Sequence, residues 1–310
     1  MQRVRRSAAV VVTAVLALTT TLLTTTPANA EPIRPDSASP ESALAAAPSR
    51  SDGSSNTLFF IHGFDPKDAS DTDCSSYWAS AKRHFQSKGW RGGLVTYGYY
   101  AGGKNCTYKY AGSRQSSLTT ISKDLANRIY NGYSRHGRKV DVVAHSMGGL
   151  VIRSALYHVR KGTAGFPPYL YVEDVVTLGT PHDGASTAQL NLCKVFLGSP
   201  RQCTQMTPGS DFLKGLPETP SNSRFGTDWT VVSSFDDTTV SEGSGVGVNA
   251  EHKIQYDDSG DKALDHSELK SVRTGSYRGR LKHSGSWTRW SNREAPLERA
   301  RFAVYFHASR

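Results

Sequence analysis

The sequence predicts an α/β fold, a three-layer sandwich in which a mostly parallel sheet carries helices on both faces. Three observations predict it. Short Val/Leu/Ile/Phe runs recur along the chain, and segments of helical period lie between them. Several runs are continuous rather than alternating, as strands covered on both faces require. Strands are expected at Leu58–Ile61, Leu94–Tyr99, Val140–Ala144, Val172–Leu178, Trp229–Ser233 and His252–Tyr256. Helices are expected at Tyr77–Lys88, Leu118–Arg135 and Met147–Val159. In the second helix Leu118, Ile121, Leu125 and Ile129 fall three and four residues apart, which makes one apolar stripe to lay on a sheet.

The start of the chain speaks to compartment. Arg3, Arg5 and Arg6 precede an apolar, Thr-rich stretch from Ala8 to Leu23, and Ala28-Asn29-Ala30 supplies a small-x-small cleavage pattern. Residues 1–30 therefore read as a signal peptide and the protein as secreted, with general and twin-arginine export both open. Residues 31–56 are rich in Pro, Ser and Ala and hold no aromatic residue, so a flexible leader is expected there. The remainder, 57–310, has the size of one domain.

The first thirty residues carry three arginines and no acid, so the rest of the chain has a net charge of +7. Those charges are scattered rather than gathered in blocks, which argues against nucleic-acid binding. Four cysteines in an oxidising compartment, with no C-x-x-C pair, favour disulfides over a metal site. Three connectivities exist; local order favours Cys74–Cys106 and Cys193–Cys203.

Two stretches break the alternation. Residues 182–225 hold four prolines, two cysteines and an apolar patch at Leu190–Leu197. So long an excursion is expected to be either a cap or a stapled surface loop. Residues 273–310 carry nine basic side chains against two acids, interleaved with six aromatic residues. They read as a closing segment docked on the domain in preference to a tail that adheres to anionic surfaces.

The chemistry sits at the strand Val140–Ala144, which runs through His145-Ser146-Met147-Gly148-Gly149 into an apolar helix. A sharp strand-to-helix turn of this kind lifts a serine hydroxyl clear of the backbone. The residues two before and two after the serine must be small, and Ala144 and Gly148 are. The Met147 N–H then heads a helix, where it can donate to a developing oxyanion. A second donor is expected after the strand that ends in Ile61-His62-Gly63-Phe64, at the Phe64 N–H. His62 precedes the serine in the chain and is read as orienting that loop.

A serine hydroxyl needs a base, and the base needs an orienting acid. In this arrangement the chain order is Ser, acid, His. Strand Trp229–Ser233 leads to Asp236 and Asp237, only one of which can face the histidine. His266 lies on a loop beyond the last expected strand, whereas His252 begins that strand, so His266 fits better.

Together, Ile61-His62-Gly63-Phe64, Ala144-His145-Ser146-Met147-Gly148-Gly149, Leu178-Gly179-Thr180-Pro181-His182-Asp183-Gly184 and Ser234-Phe235-Asp236-Asp237-Thr238-Thr239-Val240 resemble secreted bacterial lipases and esterases of the α/β-hydrolase fold. The small lipases of bacilli and their actinomycete relatives share the Ala-His-Ser-Met-Gly-Gly form. The resemblance covers about residues 57 to 272. It implies Ser146 as nucleophile, Asp237 as acid, His266 as base, and Phe64 and Met147 as oxyanion donors. It also implies that Thr180-Pro181-His182 lines the region beside the nucleophile.

The expected function is thus a serine carboxylic-ester hydrolase working through an acyl-enzyme. An acyltransferase or an amide hydrolase is the alternative, since the same groups serve both. A non-catalytic module would have lost one member of the set. No metal-ligand spacing is evident, so neither metal nor cofactor is expected. The expected partners are an ester or lipid substrate, with transient contact at a lipid interface, and the chain is expected to be a monomer.

Overall fold

The computed structural model describes residues 47–66, 72–259 and 263–306. The expected signal peptide at 1–30 and the first part of the leader lie outside them. Nine strands form one sheet: β1 (Thr57–Ile61), β2 (Leu94–Gly98), β3 (Tyr108–Lys109), β4 (Val140–His145), β5 (Val172–Leu178), β6 (Asp228–Ser234), β7 (His252–Tyr256), β8 (Ser276–His283) and β9 (Ser291–Glu294). Their order across the sheet is β3-β2-β1-β4-β5-β6-β7-β8-β9. The first seven run parallel, and β8 and β9 close one edge antiparallel. The six expected strands form within one residue of their expected ends. β3, β8 and β9 were not expected: β3 is two residues long, and β8 and β9 are polar strands without an apolar run.

Side chains of β1 divide between two cores. Phe59 and Ile61 bury with Leu118, Ile121, Leu125 and Val151, whereas Leu58 and Phe60 bury with Trp78, Phe85, Leu297 and Val304. Helices therefore cover both faces, with α3 (Leu118–Gly132) and α4 (Met147–Arg160) on one and α2 (Ala79–Ser87) and α9 (Pro296–Tyr305) on the other. The helix expected at Tyr77–Lys88 forms as α2, starting two residues later, and a separate turn, α1 (Cys74–Tyr77), precedes it, capped by Asp73, which accepts from the Ser75 and Ser76 N–H groups. The excursion at 182–225 carries α5 (Thr187–Leu197), α6 (Arg201–Gln205) and α7 (Asp211–Lys214), and α8 (Glu242–Gly245) follows β6.

The leader expected through Asn56 is tied down over its last residues. Arg50 pairs with Asp228 at 2.7 Å, Asn56 Nδ2 donates to Glu173 Oε2 at 2.6 Å, and the Gly53 N–H donates to the Tyr305 carbonyl at 2.8 Å. The reason is electrostatic: the Glu173 carboxylate is buried at the start of β5 and has to be paired. Beyond residue 273 the chain closes the domain as β8, β9 and α9. Trp287 packs on the cluster of Val231, Val246 and Val248, and the Arg280 guanidinium sits 4.7 Å from the Trp287 ring and 4.8 Å from Trp290.

Both expected disulfides form, Cys74–Cys106 and Cys193–Cys203. Gly98, at the end of β2, makes room for the first, since a Cβ there would lie 2.5 Å from Cys106 Sγ. Peptide mapping without reduction should return these two pairs, and replacing Cys74 and Cys106 together by serine should cost about 2–4 kcal/mol in chemical unfolding. Four free thiols in the mature protein would overturn this.

Candidate active site

The expected residues gather at one edge of the sheet. From β1 the chain runs outward to β2 and β3, then returns to lay β4 on the other side of β1. In open parallel sheets such a switch point leaves a crevice outside the carboxyl ends of the strands, where ligands bind. Gly63 and Phe64 follow β1, Ser146 follows β4, Thr180 follows β5, Asp237 follows β6 and His266 lies beyond β7.

Ser146 adopts φ 55° and ψ −132°, a left-handed backbone that costs a non-glycine residue about 1–3 kcal/mol. The surroundings hold it there. Its N–H donates to the Leu178 carbonyl at 2.8 Å, and its carbonyl accepts the Thr180 hydroxyl at 2.9 Å. A Cβ at position 148 would lie 2.5 Å from both the Ile61 and His62 carbonyl oxygens, and one at 149 would run into Thr180. A Cβ at position 63 would lie 2.8 Å from the Ser146 Cβ. Glycine is thus required where β1, β4 and β5 release their chains side by side. Met147 begins α4, where the first N–H groups have no acceptor within the helix.

The loop after β1 is held by a set of hydroxyls. The Gly63 N–H donates to Tyr77 Oη at 3.0 Å and the Asp65 N–H to Tyr100 Oη at 3.3 Å, on either side of Phe64. Tyr99 Oη donates to the His62 carbonyl at 2.6 Å. His62 Nδ1 lies 2.7 Å from the Gly63 carbonyl and its ring stacks on Tyr99 at 4.0 Å. Burial pushes the His62 imidazole down to about 4, so it is neutral at physiological pH and binds the loop as a donor.

Asp237 is buried, and its Oδ2 accepts from His266 Nδ1 at 2.6 Å. Its Oδ1 accepts the Thr239 and Val240 N–H groups at 2.9 Å each, which fixes the carboxylate in the turn after β6. In the neutral ring, with Nδ1 as the donor to Asp237, Nε2 of His266 is the acceptor. Asp236 is half-buried and spends its N–H on Ser234 Oγ, and His252 pairs with His283 across β7 and β8 at 2.8 Å.

Ser146 and His266 line one cavity of about 170 Å³, with Phe64, Pro181, Met206 and Val240. Phe64 also borders a neighbouring cavity of about 630 Å³ that reaches Tyr77 and Ser267. Another, of about 440 Å³ around Tyr157 and Arg160, lies at the far end of α4, about 20 Å away by helix rise. The buried carboxylates Asp141, Glu173 and Asp174 lie within 4.8 Å of one another at the beginnings of β4 and β5, the edge of the sheet opposite Ser146.

One expectation needs correction. Pro181 lines the cavity and Thr180 clamps the Ser146 carbonyl, but His182 does not face the site. It is buried, with Nε2 3.0 Å from Thr177 Oγ1 and its carbonyl accepting Arg153 Nη1 at 3.0 Å. The N–H of His182 closes on the Thr180 carbonyl at 2.8 Å, and this tight turn carries its side chain inward. Two residues were missed. His145 lies 2.6 Å from Tyr77 Oη through Nδ1 and 2.8 Å from the His266 carbonyl through Nε2. A histidine ending an apolar strand was a visible signal for the first; Tyr77 had none.

The sheet order and the strand-to-helix turn at Ser146 define an α/β-hydrolase fold. Residues 110–211, which include Ser146, match the family described as PGAP1-like alpha/beta domain. No curated protein matches the chain. Among solved structures it is similar to the propeptide form of Bacillus licheniformis lipase BlEst2, at 19% identity over 71% of this chain and 48% of that one, with a TM-score of 0.47. The mature form of that lipase gives 18% identity, 72% and 90% coverage and a TM-score of 0.45. Legionella pneumophila phospholipase PlaB gives 16%, 75% and 51%, and 0.44. The chain thus spans about half the length of the BlEst2 propeptide form. At these identities and scores the likenesses say nothing about the site.

The glycine contacts give a direct check. Gly148→Ala should lose about 3 kcal/mol or more in thermal unfolding, or yield no folded protein, because the added methyl meets backbone rather than side chains. Gly162→Ala, at φ 67° with open space around it, should lose only about 1–2 kcal/mol. Equal losses would show that the turn is not closed by backbone contact.

Proposed function

We propose that this chain is a secreted serine carboxylic-ester hydrolase of the lipase/esterase kind. The observation that carries the reading is the Asp237–His266 hydrogen bond of 2.6 Å, with His266 and the turn-borne Ser146 lining one cavity. In this reading His266 Nε2 takes the proton of Ser146 Oγ as that oxygen attacks the ester carbonyl. The Met147 and Phe64 N–H groups bind the oxyanion; the amides flanking Phe64 are already held by Tyr77 and Tyr100. Collapse breaks the bond to the alcohol oxygen, which leaves with the proton from His266. Water then attacks the acyl-enzyme by the same route, and Asp237 stabilises the imidazolium that forms each time.

The substrate class follows from the surface beside the cavity. Gln189 and Met206 of the 182–225 excursion line the cavity, so the excursion acts as a cap. Its helix α5 leaves Val195 71% and Phe196 74% exposed, with Leu192 beside them. An apolar helix face in water next to an acyl-binding cavity suits esters presented at a lipid interface. Secretion is supported by the expected signal peptide and by two disulfides.

Ser146→Ala should lower ester hydrolysis by roughly 10⁴ to 10⁶ while the protein stays folded, and an organophosphate should label Ser146 alone. Near wild-type turnover by that variant would sink the reading. Asp237→Asn and His266→Ala should also lose orders of magnitude in kcat, with Asp236→Asn and His252→Ala close to wild type. A severe loss at Asp236 with Asp237 spared would move the acid by one residue.

Cap and interface are tested together. On p-nitrophenyl esters of rising chain length, a variant with the 193–203 loop shortened should change its chain-length preference more than its rate on acetate. Replacing Val195 and Phe196 by serine should lower activity on emulsified triglyceride more than on soluble esters. An unchanged profile in both would mean that the excursion is a surface loop.

A further inference from the structure

Between the loop after β1 and the loop carrying His266 runs one chain of hydrogen bonds that the proposed chemistry does not itself use. The Gly63 N–H donates to Tyr77 Oη at 3.0 Å, Tyr77 Oη lies 2.6 Å from His145 Nδ1, and His145 Nε2 lies 2.8 Å from the His266 carbonyl. Proton bookkeeping leaves one arrangement. A carbonyl oxygen only accepts, so His145 Nε2 carries the proton. In a neutral ring Nδ1 must then accept, so the Tyr77 hydroxyl donates to it. That leaves the Tyr77 oxygen lone pairs for the Gly63 N–H. Every member points the same way, from the oxyanion loop to the base loop.

We propose that His145 and Tyr77 are positioning residues that set the oxyanion loop and the His266 loop at a fixed separation across Ser146. This rests on the reading of Ser146 as nucleophile, since only then do the two loops act on one reaction. Three features support a positioning role over ordinary packing. His145 is the last residue of β4 and the immediate neighbour of Ser146, so its backbone moves with the elbow. Burial, followed by the nearby His266 and Lys270 charges, holds its imidazole well below the usual histidine range, so the ring is neutral and its two hydrogen bonds set which nitrogen carries the proton. Tyr77 is itself fixed, with the Lys270 ammonium 4.5 Å from its ring centroid and Trp78 against its edge. The residue that ends β4 is thus a ruler between the two groups that must meet the same carbonyl carbon. Misplacement of a catalytic group by about 1 Å costs on the order of 100-fold in rate, so even a partial slackening of this chain should be visible.

The test compares Tyr77→Phe, His145→Gln and His145→Leu on one soluble ester, with competent sites counted by organophosphate titration. Tyr77→Phe removes the hydroxyl and keeps the ring. Gln can donate to the His266 carbonyl and accept from Tyr77, and Leu can do neither. The expected result is that kcat per labelled site falls about tenfold or more in Tyr77→Phe and His145→Leu, with KM little changed, and that His145→Gln restores most of it. The losses of Tyr77→Phe and His145→Leu should not add when combined, because they break one chain. A purely structural role would instead lower melting temperature and the number of labelled sites, with kcat per site unchanged in every variant; that outcome overturns the proposal. Because Tyr77→Phe deletes a single oxygen, it decides the matter even where His145→Leu does not fold. If these variants keep wild-type kcat per site while Ser146→Ala is inactive, the ruler fails and the hydrolase reading stands. Activity in Ser146→Ala would overturn both.

Discussion

The structure turns on the close approach of three backbones at the end of the sheet. β1, β4 and β5 lie side by side, and each leaves the sheet at the same level. Ser146 can hold its left-handed backbone because Leu178 and Thr180 grip it from one side, while Gly63 and Gly148 let the end of β1 press in from the other. The strain is local and the contacts that balance it are not. They come from Gly63, 83 residues before Ser146, and from Thr180, 34 residues after it, held in register by parallel ladders whose side chains are almost all buried.

This rigidity decides how the candidate site divides its labour. Groups that must stay still are set by strand ends: Gly63 and Phe64 by β1, Met147 by β4 and α4, Asp237 by the turn after β6. The groups bordering the cavity on its open side come from less regular chain. His266 stands on a loop steadied by the short turn at Glu268–Lys270 and by its carbonyl's bond to His145. The excursion after β5 docks through buried Gln202, which accepts from Tyr100 Oη at 2.8 Å, and leaves α5 facing water. Tyr100 also receives the Asp65 N–H, so the excursion and the loop after β1 share a side chain.

The fold was largely legible in the sequence for a plain reason. Strands covered on both faces must be apolar throughout, and Val172–Leu178 or Val140–Ala144 have no other low-energy use in water. Strands left partly open to water carry no such requirement, which is why the polar β8 and β9 escaped, and a basic, aromatic closing segment hid them further. The turn Cys74–Tyr77 that Asp73 caps escaped for a similar reason: a cap is a local hydrogen bond whose partner positions are not visible in periodicity. The leader misled because composition reports what a segment can bury itself, not what a buried Glu173 or a partly buried Asp228 elsewhere demands of it.

Ser146, Gly148 and the helix behind them were determined by the sequence alone, since a strand-to-helix turn is built from residues next to one another. The same holds for the small residues around it, whereas local order only favoured the disulfide pairing that the structure shows. The resemblance pointed to Asp237, and the tertiary structure brings its carboxylate to His266 while the Asp236 N–H stays in the turn after β6. The tertiary structure alone turned His182 into the interior, brought Tyr77 to His145 across 68 residues, and laid His266 over the end of β4. Those outcomes depend on distances between strand ends. Such distances are set by the register of the whole sheet, and no local stretch of sequence carries them.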